Sequence, residues 1–557
     1  MLFTSIVALV SFVSLVAFVL RFLRRNSIRN IRGPHVSSRL LGFEYDIGRQ
    51  DEAGGLETKW AREYGPTWRV TGSFGSDVLM TADPKALQHI YHKSAYNYAK
   101  QTAQNHMGYI MSGPNIVWAQ GQVHQRHRKL MNPAFSTAQL RSFLPLFQSV
   151  TYKVVDKWKS DLSSKKDMDL FVNQWLSRAA LDIIGAAAFD YDYKALDDAD
   201  ESALAKAYHG ILKDINFRLP EVEILFRAAW DYLPFPILKL FAYTPTKTFN
   251  RVRYVRNLYN AYGRKILREK SADVDAEKRS HGKDILSILI RANDSSDEKT
   301  KLTEDEILAQ MYTLTLAGHE TTASTVSFLL YELAKHPEYQ DRMRREVMEA
   351  RGRVAARGDA GFTAEDLDGM TLCLNAIKET LRLHPVVTHL PRVATKDDVI
   401  PLAFPIATAS GEAIHEVPVA KGQVIDTSML VYNRLPQVWG ADADTWNPDR
   451  FSRLDDHKQT YVGVFANLIL AFPRLTTIAY LNLYRTAAGT RACLGWRFSL
   501  IEMQVFVAEF VGAFQFSLPD GAADEIQCAP AGNIMVPIVR GKPDLGTALR
   551  LRVSLVN

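Results

Sequence analysis

Apolar positions recur three and four apart along most of this chain, the mark of helices with one buried face. Strand-like alternation is confined to short runs, mostly late in the sequence. One segment follows neither pattern. Leu2 to Leu20 carries no charge, and Arg21, Arg24 and Arg25 follow at once. About 20 apolar residues suffice to span a bilayer as a helix. A cleaved signal peptide would put its cations before the apolar run and offer a small-residue cleavage site. Here the cations come after it, which places the bulk of the chain on the cytoplasmic side. Residues 1–23 are therefore expected to be a transmembrane anchor, 24–40 a short basic linker, and 41–557 one large, mainly helical domain with small β-sheets.

Within that domain, Leu302 to Lys335 is the longest helical pattern. Thr303 and Glu306 form a capping box, and His336-Pro337 is the stop. About 33 residues at 1.5 Å each span roughly 50 Å, enough to cross the whole domain. Thr67–Val70 and Asp77–Met80 read as paired strands separated by Gly72 and Gly75. Asp83-Pro84 then opens a helix. Ala179–Phe189 reads as a core helix of small apolar residues. Ala205–Pro245, broken by prolines and rich in aromatics, reads as packing or as a lid. Met107–Trp118 is expected to be an irregular loop, and Arg268–Lys283 an exposed one.

Composition adds three limits. The 557 residues contain no Gly/Ser-rich linker and no internal repeat, so nothing divides the domain. The net charge of +6 comes from scattered Lys and Arg, which gives no reason to expect nucleic acid. A basic surface could also suit an acidic redox partner or anionic lipid. Cys373, Cys493 and Cys528 have no metal-ligand spacing among themselves, and an odd number fits a reducing compartment.

Chemistry concentrates in four places. Gly489-Thr490-Arg491-Ala492-Cys493-Leu494-Gly495 sets one cysteine between two glycines, with a cation two residues before it and an apolar helix after it. Glycine lets the backbone pass close under a flat ligand. A helix start favours thiolate, and a thiolate on a rigid loop is a good axial ligand for haem iron. In mid-helix stands Ala317-Gly318-His319-Glu320-Thr321-Thr322, poor helix material for a segment kept only for stability. Glu379 and Arg382, three apart in apolar surroundings, can pair. His124 and Arg128, four apart, share one helical face.

Together, in order, A-G-x-E-T-T, E-x-x-R, P-x-R-F (Pro448-Asp449-Arg450-Phe451) and G-x-R-x-C-x-G resemble the cytochrome P-450 family, the haem-thiolate monooxygenases. The resemblance covers roughly residues 34–557. Phrases such as Val462-Gly463-Val464 and Ile534-Met535-Val536-Pro537 are similar to fungal, among them basidiomycete, members. The family's cysteine loop begins with Phe three residues before its first Gly, where this chain has Thr486. Removing Pro473 to Thr486 would join Phe472 to Ala487-Ala488-Gly489 and restore the motif. That stretch therefore reads as an insertion, either a retained intron or mistaken gene model or a genuine loop.

The resemblance implies the cytochrome P-450 fold, a single catalytic domain behind the anchor, with haem b bound through the Cys493 thiolate. Gly489 and Gly495 would flank the ligand. His124, Arg128, Arg392 and Arg491 would seat the haem propionates. Glu320 would be the relay acid and Thr321 the alcohol that together guide protons to dioxygen, on a segment that bulges over the haem. Glu379, Arg382 and Arg450 would form a fold-fixing network. Val386–His389 and Asn533–Met535 would wall the substrate pocket. Electrons would come from NADPH through a separate flavoprotein reductase, with cytochrome b5 as a further donor, because the chain has no nucleotide or flavin fingerprint. The implied activity is oxidation of an apolar small molecule, terpenoid-like, in fungal secondary metabolism at the endoplasmic reticulum membrane. Two alternatives stand beside it: a reductase-independent haem isomerase or dehydratase, and a non-catalytic membrane protein whose cysteine loop the insertion displaces.

Overall fold

In the computed structural model the described residues are 27–197, 201–213, 218–233, 235–272, 283–294, 296–297, 299–453, 490–521 and 525–556. The expected anchor (1–23), the apparent insertion (473–486) and Gly489 lie outside them. No helix among the described residues is long and apolar enough to cross a membrane.

Two helices organise the core. The long helix, Glu304–Lys335, opens with the capping box of Thr303 and Glu306 and ends at His336. It packs along Val172–Phe189, whose alanines and glycine are nearly all buried and let the two backbones approach. The second, Trp496–Ala513, follows the cysteine loop and is buried along most of its length, with apolar residues spread around it rather than on one face, as expected of a helix enclosed by others. Its Phe506 and Phe510 are fully buried and stacked 5.8 Å apart. Each contributes about 1.5–3 kcal/mol through burial.

Among the described residues, four small sheets flank this helical layer. The largest orders its strands Thr67–Gly72, Ser76–Thr81, Val424–Ser428, His389–Ala394 and Tyr98–Lys100. The first two pair antiparallel with Trp68 opposite Met80. Asp83 caps the next helix, accepting from the Lys85 and Ala86 amides. Residues 27–32, part of the expected linker, are docked on this layer. Ile28 and Ile31 are buried, and Ile31 bridges to Thr408.

Two expectations are corrected. Met107–Ser112 is not irregular: it belongs to the helix Thr102–Ser112, held because Ile110 packs into a cluster with Trp230, Leu238 and Phe249. The start of the segment expected to be an exposed loop, up to Ala272, is the end of the helix Lys247–Ala272.

Candidate active site

Cys493 lines a cavity of about 1830 Å³, three residues before the helix Trp496–Ala513 begins. Burial pushes its thiol up. The Gly495 amide, which donates to the sulfur at the helix start, and the nearby Arg128 guanidinium oppose that and favour the thiolate. Two hydrogen bonds fix the loop. Arg128 donates to the Ala492 carbonyl at 2.8 Å, and Arg491 donates to the Ala119 carbonyl at 3.0 Å. The spacing of His124 and Arg128 on the helix Gly121–Met131 brings both to this cavity.

Four basic side chains and one imidazole line the cavity beside the cysteine: Lys100, Arg128, Arg392, Arg491 and His124. Lys100 and Arg392 are directly opposite each other across two paired strands. None of the five forms an ion pair with a carboxylate among the described residues. Burial and the Arg491 and Arg392 charges hold the Lys100 ammonium well below its ordinary value. Burial, with Arg392 beside it, lowers Arg491 to about 10. Burial and the surrounding cations push His124 down to about 3, so it is a neutral hydrogen-bonding imidazole, 3.3 Å from the Tyr96 hydroxyl. The Arg491 Nε is buried without a partner. Cations crowded together in this way are mutually destabilising until an anion joins them.

Across the cavity, the long helix presents Ala317, Gly318, Thr321 and Thr322. The helix runs unbroken through this segment, so the expected bulge is absent. Its hydroxyls bond back along the helix, Thr321 to the Ala317 carbonyl at 2.8 Å and Thr322 to that of Gly318 at 3.4 Å. Ala317 is exposed in mid-helix, and what it faces is this cavity. Glu320 does not line the cavity. Its carboxylate accepts from Ser177 at 2.7 Å on the neighbouring helix and lies 3.3 Å from the His319 ring. Thr322 lies 3.3 Å from Ser499 and faces the Glu502 carboxyl. Both Glu502 oxygens are buried outside hydrogen-bond geometry, and burial outweighs Thr322 and holds the group well above the usual carboxylate range, which favours its neutral form.

The pocket walls are Val386, Val387, His389 and Asn533, among others. His389 is held between Glu57 at 3.0 Å and Asp426 at 3.5 Å. Burial lowers its pKa, but the two carboxylates prevail and carry it up to about 10.

Glu379, Arg382 and Arg450 are brought together away from the cavity. Arg382 grips Glu379 with two bonds of 2.7 Å and donates to the carbonyls of Asn433, Ala443 and Thr445. Arg450 reaches Glu379 at 3.2 Å and also bonds the Trp439 and Asp442 carbonyls. Both Glu379 and Arg382 are fully buried. Such a pair stands only because every donor is satisfied.

The cavity exceeds the roughly 300–1,000 Å³ usual for a single small-molecule site. It has room for a large flat group and a substrate together. Haem fits the donor set: a sulfur for iron, and unpaired cations with an orphaned Arg491 Nε for two carboxylates. Lys100 and Glu502 were not singled out by the sequence. A lysine ending an aromatic run has no motif, and its proximity to Arg392 exists only through strand pairing.

The family model for cytochrome P-450 matches residues 40–543. The chain is 32% identical to cytochrome P-450 monooxygenase 91 of Postia placenta, over 90% of this chain and 89% of that protein. It is 29% identical to cytochrome P-450 monooxygenase claQ of Ampulloclitocybe clavipes, over 95% and 94%. It is also 29% identical to a ganoderic acid synthetase of Ganoderma lucidum, over 90% of each. With a cysteine, an alcohol-bearing helix and a cationic rim meeting in one cavity, the chain belongs to the cytochrome P-450 family and is a monooxygenase.

Proposed function

We propose that this monooxygenase binds haem b through the Cys493 thiolate and oxidises an apolar, terpenoid-like small molecule, with NADPH electrons delivered by a separate flavoprotein reductase. The observation that carries this reading is the placement of Cys493 and Thr321 on one cavity, with the cationic rim beside the sulfur. The terpenoid class is supported by the size of the cavity and by the name of the Ganoderma relative. The uncharged run Leu2–Leu20 followed by arginines supports an anchor in the endoplasmic reticulum membrane with the catalytic domain on the cytoplasmic side.

The haem, when bound, supplies dioxygen activation, with the thiolate donating electron density that favours O–O cleavage. The chain's part is positional and electrostatic. Burial outweighs Arg128 and the Gly495 amide at the free thiol, and these two groups would favour the thiolate once iron takes the sulfur. Arg128, Arg392, Arg491 and His124, joined by Lys100, would seat the propionates. Thr321 Oγ1, on the cavity wall, would hold a proton for dioxygen after leaving the Ala317 carbonyl. Glu320 would supply that proton by turning from Ser177 toward the cavity.

Two outcomes follow from these roles. A positioned proton donor contributes about 10²–10⁴-fold, so Thr321→Ala should lower product formed per dioxygen consumed by at least about tenfold. Simultaneous oxygen-electrode and product assays check this, and full coupling in the variant would remove Thr321 from the relay. Lys100→Ala should weaken haem retention without unfolding the chain. A charge-assisted hydrogen bond is worth about 1.5–3 kcal/mol, so haem transfer to apomyoglobin should quicken by roughly ten- to hundredfold. Turnover of a terpenoid panel with NADPH and a fungal reductase tests the reading as a whole. Turnover without reductase would contradict it.

A further inference from the structure

Behind the cavity wall stands a group of six tyrosines in ring contact. Tyr312, on the long helix, lines the cavity itself. Its ring centroid is 5.2 Å from Tyr259 and 6.2 Å from Tyr208, and those two are 6.2 Å apart. Tyr208 lies 6.3 Å from Tyr193, and Tyr193 lies 5.0 Å from Tyr191, which is 6.3 Å from Tyr262. Tyr312, Tyr259, Tyr208 and Tyr193 are buried, whereas Tyr191 and Tyr262 are half-buried and reach the surface. Tyr193 is reached both from Tyr208 and, hydroxyl to hydroxyl, from Tyr259, and among the described contacts every route on to Tyr191 and Tyr262 passes through Tyr193.

Packing alone does not explain these hydroxyls. Tyr193 and Tyr259 share one partner, Thr315 Oγ1, at 3.3 and 3.2 Å. The Tyr208 hydroxyl is buried beside the same Thr315 but outside hydrogen-bond geometry. An unsatisfied buried polar group costs about 1–3 kcal/mol, so phenylalanine would pack there at lower cost. What phenylalanine lacks is a phenol, which with indole is among the side chains most readily oxidised by one electron. Burial keeps these phenols neutral, holding Tyr208 and Tyr259 well above their ordinary value and Tyr312 at about 12.

We propose that the tyrosines form an exit path that carries oxidising equivalents from the cavity to the surface when dioxygen has been activated and no substrate is oxidised. With haem bound and oxidised, Tyr312 would give up one electron to it and its phenol proton to cavity water, leaving a neutral tyrosyl radical. An electron from Tyr259 or Tyr208 then restores Tyr312, which regains a proton, and the radical moves by the same exchange through Tyr193 to Tyr191 or Tyr262. There a small thiol in solution returns one electron and one proton. Two passages would convert two thiols to a disulfide and deliver two electrons and two protons to the cavity, the equivalents that take one oxygen atom of dioxygen to water. This inference rests on the haem-thiolate reading, whose own failure would show as an absent thiolate-type carbon monoxide band before any oxidant is added.

The test uses the full-length, haem-loaded, substrate-free protein, mixed rapidly with peracetic acid and freeze-quenched for electron paramagnetic resonance. Wild type should show a tyrosyl radical. Tyr193→Phe keeps the ring but removes the phenol that every described route to Tyr191 and Tyr262 must use, and should lose most of the radical at those two, located by mass spectrometry of spin-trapped peptides. The same variant should bleach severalfold faster under repeated peracid while keeping its thiolate-type band before any oxidant is added. A surface radical and bleaching rate equal to wild type in Tyr193→Phe would overturn the proposal. So would the absence of any tyrosyl signal in wild type that shows the thiolate-type band.

Discussion

Replacing Cys493 by alanine is expected to abolish the haem-thiolate spectrum and monooxygenase turnover while leaving a folded protein. The fold does not depend on the thiol. The helix after it is started by Gly495, and the loop is held by the carbonyls of Ala492 and Ala119 through Arg128 and Arg491. Those bonds use backbone acceptors, so they survive the substitution. The cationic rim also survives, and the variant should retain some weakly held haem. What disappears is the only cysteine lining the cavity. The other candidate ligands on the wall, His124 and His389, are engaged with Tyr96 and with the Glu57–Asp426 pair. Haem content by pyridine haemochrome, paired with thermal melting, separates loss of the ligand from loss of the fold. A folded variant with an unchanged reduced carbon monoxide band would refute the ligand assignment.

The largest expected effect on stability lies elsewhere, at Glu379. Glu379→Ala leaves the fully buried Arg382 without its carboxylate and removes one anchor of Arg450. Removing one partner of a buried pair costs about 3–5 kcal/mol, because the remaining charge stays in a poor solvent. Domains hold only about 5–15 kcal/mol in total. The variant is therefore expected to be mostly insoluble, or to unfold at a far lower urea concentration. The exposed pair Arg62–Asp444 provides the control. Its geometry is as close, yet both side chains are in water, and such pairs contribute about 0–1 kcal/mol. Equal losses at the two sites would show that burial does not govern the Glu379 network.

Local chemistry was legible in the sequence, and long-range placement was not. His124 with Arg128 and Glu379 with Arg382 are one helical turn apart, so sequence spacing fixes their shared face. The Asp83 and Thr303 caps are equally local, and both are present. Lys100 escaped notice because its neighbour Arg392 is distant in sequence and meets it only across paired strands. The orientation of Glu320 escaped for a similar reason. Nothing within its own helix says that Ser177 stands within 2.7 Å on another. Met107–Ser112 looked irregular because Gly108 and mixed polarity weaken its periodicity. Ile110, packed among Trp230, Leu238 and Phe249, overrides that weakness. Glu502 followed the cysteine loop in plain view, but an acid in an apolar run does not say whether it will find a partner.

Oxygen chemistry in this cavity depends on the sulfur of residue 493 meeting iron. The most direct measurement is the reduced carbon monoxide difference spectrum of the purified 557-residue chain, residues 473–486 included. The expected result is the strongly red-shifted Soret band of a thiolate-ligated ferrous haem. A band at the position of a histidine-ligated haem, or a folded protein that takes up none, would contradict it.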